Sequence, residues 1–403
     1  MSVNKTKMSG ITLDKQLDLL PKQIVFCKNC VVSNQRPRTR FNELGICSAC
    51  QWAYEKDHVV NWEERGRELE LLCNIHRSKD GSYDVVVPGS GGKDSGFVAH
   101  QLKQRYGMHP LCVTWAPFEY TEIGMENLQN FIASGFDNIT GQPNGQLHRK
   151  LARLTFELVG DAWQPFTYGQ KTWAAHIASK FGIKLVMFGE NGELEYGGSE
   201  EFKNLPSQGP DAWTTEQFKG AEVDEVARYG LDIGILKPDE LNPQTLRWYR
   251  PPVKEEFIKS QIEMHWYSYY HKWVPEENYY YVVQNTGFKP NPEGRSEGTY
   301  TKYVSLDDKL DGFHWYLSYM KFGMARASRD AQQDIRRHHI TREEGVALTR
   351  RYDGEFPERH FRWLLDYMDI DEDFFWEVCN FYRGKSNVWN EVNGKWLLSH
   401  VVS

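Results

Sequence analysis

One stretch constrains this chain more than any other: residues 84–106, DVVVPGSGGKDSGFVAHQLKQRY. Val85, Val86 and Val87 form a short apolar run that enters a glycine-dense turn, Gly89-Ser90-Gly91-Gly92-Lys93-Asp94-Ser95. Val98 and Leu102 then stand four apart, as on one helix face, and Gly107 is placed to end that helix. Strand, tight turn and helix in this order make an anion cradle. Glycines let the backbone approach a phosphate, and the free N–H groups of the helix start point at it. Ser90 and Ser95 add hydroxyls, and Asp94 adds a carboxylate suited to magnesium. The turn is not a Walker A loop. Val87 stands where that pattern needs its first Gly, and Asp94 stands where it needs Ser or Thr after the Lys.

Ser90-Gly91-Gly92-Lys93-Asp94-Ser95 instead resembles the SGGxDS loop of PP-loop ATP pyrophosphatases. That resemblance implies cleavage of ATP to AMP and pyrophosphate with adenylation of a carbonyl oxygen. A glycine-rich turn without a ligand is the plain alternative.

A second signal precedes the loop. Cys27-x2-Cys30 and Cys47-x2-Cys50 are separated by sixteen residues, the spacing of a four-cysteine zinc ribbon. In a reducing compartment a metal is the better use of four such thiols, and a closed four-thiolate site is structural. An iron–sulfur cluster would use the same ligands. Arg36, Arg38 and Arg40, between the pairs, are either a solvated face or an anion contact. Cys73, Cys112 and Cys379 are scattered and read as buried apolar thiols.

From 83 to about 190 short apolar strands alternate with helical patterns. Strands are expected at 83–88, 110–115, 136–139 and 183–188, with helices at 94–106, 122–134, 145–160 and 170–181. This predicts an α/β fold with a parallel sheet covered on both faces, and a ligand crevice beyond the strand C-termini where strand order reverses. Three strand ends would meet there. One gives the Gly-rich loop. Another gives Trp115, as an adenosine stacking face or as core. The last gives Gly189 and Glu190, followed by Glu193 and Glu195. Of these, Glu190 and Glu193 join Asp94 as candidate magnesium ligands.

Residues 197–245 read as a long polar connection or a lid over the crevice. The aromatic stretch Met264–Trp273 reads as core strand or helix. Residues 294–345 contain Lys302, Lys321, Arg326 and Arg329, and a helix from Leu306 to Arg336 would place Lys321 and Arg329 on a similar face. Cations are expected there, because a departing pyrophosphate needs them. Thr341-Arg342-Glu343-Glu344 has the form of a capping box. The tail, 355–403, reads as helical and aromatic. Three parts result: 1–78 with the four-cysteine element, 79–245 with the PP-loop, and 246–403, mainly helical.

Composition narrows the partners. A net charge of −7 argues against a broad nucleic-acid footprint. The 14 Trp and 21 Tyr serve packing or carbohydrate stacking. No apolar run is long enough to span a membrane, and the N-terminus lacks the apolar core of a signal peptide, so a cytoplasmic protein is expected.

The combination FCKNCVVSNQRPRTRFNELGICSAC, SGGKDS, GENGELEYGG and YMKFGMARASRDAQQDIR, spread over residues 23–385, is similar to the N-acetyl sugar amidotransferases of surface-polysaccharide and nonulosonate biosynthesis. The resemblance implies an adenine nucleotide α-hydrolase-like PP-loop domain. It implies conversion of the acetamido group of a nucleotide sugar to acetamidino, with ATP, Mg2+ and ammonia. Ser90, Gly91, Gly92 and Ser95 would cradle phosphates, and Lys93, Lys321, Arg326 and Arg329 would neutralise charge. Ser2 follows Met1, and none of the seven cysteines sits in a G-x-C-x-G elbow. Ammonia is therefore expected from a separate glutaminase, with a cyclase-like subunit as a further partner. Two other readings use the same loop: a tRNA-modifying enzyme (thiolation or lysidine-type) and an amide synthetase acting on a sugar carboxylate.

Overall fold

The computed structural model describes residues 8–199, 203–209, 218–242 and 244–403. The N-terminal part holds the two cysteine pairs, then α1 (Ser48–His58) and α2 (Trp62–His76). The alternating region follows as β1 (Val85–Pro88), α3 (Lys93–Gln104), β2 (Pro110–Trp115), α4 (Glu122–Ala133), β3 (Asp137–Gly141), α5 (Gly145–Val159), α6 (Gln164–Phe181) and β4 (Leu185–Phe188). Next come α7 (Gly192–Tyr196), α8 (Val223–Asp232), α9 (Lys254–Ser260), β5 (Glu263–Trp266), α10 (Tyr267–Tyr270) and α11 (Pro275–Asn285). The C-terminal part is α12 (Asp311–Phe322), α13 (Arg326–Arg336), α14 (Arg342–Tyr352), α15 (Phe361–Met368), α16 (Glu372–Lys385), β6 (Trp389–Val392) and β7 (Lys395–Leu398).

Five parallel strands form one sheet in the order β3-β2-β1-β4-β5. Its central strands β1, β2 and β4 are apolar because both faces are covered, while the edge strand β3 is polar and partly exposed. Val86, Leu111, Val113, Val186 and Met264 face one layer, with Leu151, Leu154, Ala174 and Ile177 of α5 and α6. Val85, Val87, Cys112, Leu185 and Met187 face the other, with Phe97, Val98 and Leu102 of α3 and Val282 of α11. A third core joins α12, α15 and α16 around Phe313, Leu317, Leu364 and Phe375. Among the described residues no helix is long and apolar enough to cross a membrane.

Glu263–Trp266, in the stretch read as core strand or helix, supplies the fifth strand of the sheet. Three expectations change. Part of 197–245 lies outside the described residues, but 223–232 is a helix rather than a plain connection. A capping box from Glu222 and Glu225 opens α8, and Val226 and Ala227 bury in the α5–α6 core. The single helix over 306–336 is two helices. Gly323, at φ 65°, ends α12 in the left-handed region, and α13 starts at Arg326. The tail is helical only to Lys385. Asn393-Gly394, both at positive φ, then turns an antiparallel hairpin of β6 and β7.

Candidate active site

Strand order reverses between β1 and β4, so the loops after these strands diverge and leave a crevice at their C-termini. The Gly-rich turn fills the first of these positions. Gly92 caps α3, and Gly91 sits at φ 81° with its Cα against α4. A Cβ built on Gly91 would lie 2.7 Å from Leu128 Cα, so only glycine fits this turn. The crevice has a volume of about 510 Å³. Its walls are the turn, the end of β2, the Gly189–Glu190 loop, one face of α6, the segment 303–308 and the ends of α12 and α13 that face it.

Ser90, Gly92, Lys93, Asp94, Ser95, Gly189, Glu190, Arg326 and Arg329 all line this space. The Ser90 hydroxyl donates to Asp307, and the Ser95 hydroxyl to the Gly92 carbonyl at 3.3 Å. Lys93 pairs with Asp94. Burial and the charge of Asp94 raise the Glu190 carboxyl above its usual range. Asp94 and Glu190 thus bring two carboxylates to the same crevice. Arg326 pairs with Asp330 at 3.1 Å. Arg329 lies 3.6 Å over the Tyr196 ring and 5.2 Å from the Trp315 ring, and has no ion pair among the described residues. Trp115 is 4% exposed, wedged among Trp173, His148 and Tyr249, so it is chiefly core with one edge on the crevice.

Three expected residues lie outside the crevice. Lys321 is 2% exposed and donates to Asp14 Oδ2 at 2.7 Å and to the Val159 carbonyl at 2.9 Å. The break at Gly323 removes the shared helix face that linked it to Arg329. Glu193 turns away to form a bidentate pair with Arg38, at 2.7 and 3.0 Å. Lys302 is exposed and lies over the Tyr279 ring at 5.4 Å.

Other residues in the crevice were not singled out by sequence. Lys171 makes no hydrogen bond or ion pair among the described residues. Burial lowers its pKa, Glu190 opposes that shift, and Arg329 adds to it. Its signal was a stripe on α6: Trp163, Phe166, Thr167, Gln170, Lys171 and Ala174 recur at helical spacing and all face the crevice. Asp307 and Asp308 close the opposite wall. Burial lifts Asp307 to about 6, against the bond from Ser90, and lifts Asp308 to about 8. Asp308 accepts from the Phe118 and Leu310 amides at 2.6 and 2.9 Å, so it holds the wall in place.

The four cysteines converge as expected, with all four Sγ atoms within 4.8 Å of one another. Cys27–Cys50 and Cys30–Cys47 separations are 3.9 and 3.7 Å. Tetrahedral zinc at 2.3 Å from each sulfur requires about 3.8 Å between sulfurs, so the donor set fits. The Asn29 and Cys47 amides donate to Cys27 Sγ at 3.4 and 3.3 Å. All four cysteines are buried, as in a closed structural site.

Residues 297–401 match the family model described as LPS biosynthesis protein WbpG-like, C-terminal domain. The matched segment supplies the crevice wall from Tyr303 to Asp311 and the cations Arg326 and Arg329. An uncharacterized protein of Methanocaldococcus jannaschii is 28% identical over 88 residues, 22% of this chain and 31% of that protein. The chain therefore spans about a third of the length of that curated relative. The C-terminal match fits a context of lipopolysaccharide biosynthesis.

Proposed function

We propose that this chain is an ATP-dependent amidotransferase of surface-glycan synthesis. It adenylates the acetamido oxygen of a nucleotide-linked N-acetyl sugar and replaces it with ammonia nitrogen to give an acetamidino group. The observation that carries this reading is the Ser90–Ser95 turn at the β1/β4 reversal, opening on a crevice whose far wall belongs to the segment matched by the LPS-biosynthesis model.

The chemistry follows from the leaving group. An amide oxygen leaves poorly. When that oxygen bonds to the α-phosphorus of ATP, the α–β bridge breaks and pyrophosphate departs. Ammonia then adds to the carbon, sheds protons, and AMP leaves with the former amide oxygen. The turn's amides and the Ser90 and Ser95 hydroxyls would cradle the phosphates. Lys93, Lys171, Arg326 and Arg329 surround the space where pyrophosphate charge develops. Asp94 and Glu190 would hold magnesium, which when bound supplies Lewis-acid neutralisation of phosphate charge. The pairing of Lys321 with Asp14 favours a structural task for that residue. Ammonia would come from a partner glutaminase, and the demand for ATP makes the cytoplasm the proposed compartment.

The test is incubation of the purified chain with ATP, magnesium, ammonium and candidate nucleotide sugars, followed by mass spectrometry. The expected product is lighter by the difference between O and NH, with AMP formed in step. ADP in place of AMP sinks the reading. Glutamine-driven turnover without a partner would remove the separate glutaminase.

A further inference from the structure

A second cavity, of about 160 Å³, adjoins the crevice. His314, Trp315 and Arg329 line both, so they form a shared wall. Among the described residues that line the second cavity, cations outnumber carboxylates. Lys321 is matched by Asp14, while Lys219 and His314 are matched by Asp161. Three guanidiniums also line the cavity, from Arg36, Arg38 and Arg329; Glu193 pairs with Arg38 and attracts Arg36. Arg38 takes both oxygens of that carboxylate.

Arg36 and Arg329 are left without an ion pair among the described residues. Arg36 gives its Nε hydrogen to the Gly197 carbonyl at 3.0 Å. Burial and the like charges of Arg329 and Arg38 bring its pKa down to about 10, against the pull of Glu193. Half-buried arginines held near each other cost free energy unless an anion lies between them. A further orphan points the same way. The Trp315 indole N–H, in the shared wall, is buried with no acceptor.

We infer that this cavity is a second anion subsite, in which Arg36 and Arg329 hold a phosphate group of the acceptor substrate while its acetamido end reaches the Gly-rich turn. Guanidinium groups suit the role because they grip phosphate oxygens in a bidentate fork. Arg329 faces both spaces, so a phosphate held by it would sit at the border of the crevice. The inference rests on the proposed reading that ATP occupies the crevice, and it adds what that reading leaves open, namely where the acceptor's own charge goes.

Calorimetric titration of the full chain tests it. The probes are N-acetylglucosamine 1-phosphate and unphosphorylated N-acetylglucosamine, each added with α,β-methylene ATP already bound. The phosphorylated sugar is expected to bind alongside the nucleotide, and the neutral sugar at least about tenfold more weakly. Arg36→Gln should weaken the phosphorylated sugar about tenfold or more, Arg36→Lys should recover part of the loss, and both should leave nucleotide affinity within about twofold. Equal affinity in R36Q and wild type overturns the subsite. So does displacement of the nucleotide by the sugar phosphate, or no binding of it by the wild type. Failure of wild type to bind the ATP analogue is a different result. It strikes the proposed function, while dependence of sugar-phosphate binding on Arg36 would still report the subsite.

Discussion

Replacing Lys321 separates a structural cation from a catalytic one. Its ammonium has two partners, Asp14 Oδ2 at 2.7 Å and the Val159 carbonyl at 2.9 Å, and both Lys321 and the Asp14 side chain are sealed from solvent. In Lys321→Met, Asp14 keeps the bond from the Gln16 amide to Oδ1 at 2.9 Å and loses its counter-charge. Breaking a buried pair by removing one partner costs about 3–5 kcal/mol, and the surviving amide bond points to the lower end, about 3 kcal/mol. Asp14→Asn strands the ammonium instead and should cost a similar amount. The double variant D14N/K321M removes both charges and keeps the bond from Gln16, so it should recover about 2 kcal/mol relative to the sum of the single variants. Equilibrium urea unfolding followed by tryptophan fluorescence gives the cycle, and binding of α,β-methylene ATP gives the functional readout. The structural assignment predicts large coupling and near-normal nucleotide affinity at low urea. A K321M chain as stable as wild type that has lost ATP turnover would refute it, and would restore Lys321 to the reacting phosphates.

Further outcomes test the rest of the site. Lys171→Met should lower AMP formation about a hundredfold, as loss of a preorganised charge partner does. It should leave unfolding unchanged or slightly harder, since an unpaired cation leaves the interior; steady-state rates and urea curves read both. His148 is buried against Tyr249, and desolvation pushes its pKa down from 6.5 to about 3. A depressed histidine pKa means that the unfolded chain binds the proton first. Its contribution is therefore fully present above about pH 6.5 and falls by up to about 1.4 kcal/mol per pH unit on acidification toward pH 3. Urea midpoints from pH 7 to 5 should fall, and His148→Gln should flatten the slope. Metal analysis should find one zinc per chain, and Cys47→Ser should lose it together with nucleotide affinity. Retained binding in a zinc-free chain would disconnect the ribbon from the crevice.

Local chemistry made half of this molecule legible in sequence. The strand–glycine turn–helix order, the four-cysteine spacing and the alternation of β1 to β4 with helices are encoded within short windows, and the structure has each of these elements. What was hidden depends on distance along the chain. Asp307 meets Ser90 across 217 residues, and Lys321 meets Asp14 across 307. No periodicity reports such a pairing, so a buried structural lysine and a phosphate-binding one look alike in sequence. The break between α12 and α13 was readable in principle, because Gly323 lies inside the assumed helix. The same holds for Asn393-Gly394, a standard hairpin signal. The α6 stripe was readable too, but helical spacing tells which residues share a face and not whether that face meets core or crevice.

The position of the cysteine element changes what its metal would be for. The loop after β4 carries Glu190 on the crevice side, and its continuation is gripped by the ribbon and its flanking helix. Arg38 binds Glu193, Arg36 and Thr39 bind the Gly197 carbonyl, and Lys56 and Trp52 of α1 bind Glu195. From the other side, Gln333 and Arg336 of α13 donate to the Glu195 carbonyl at 2.8 and 2.7 Å. The cysteines themselves bury against Ala331 and Ile335 of that helix, whose first turns carry Arg326 and Arg329. Both walls of the crevice that bear charge are thus referenced to one four-thiolate centre. A metal there would fix three chain segments that the sheet does not hold, and so would govern how far Glu190 stands from Arg329. Zinc at this site would do no chemistry on the proposed substrates and would instead set the spacing on which the proposed charge stabilisation depends. Its loss should therefore raise the barrier to pyrophosphate departure even where the β1–α3 turn stays folded.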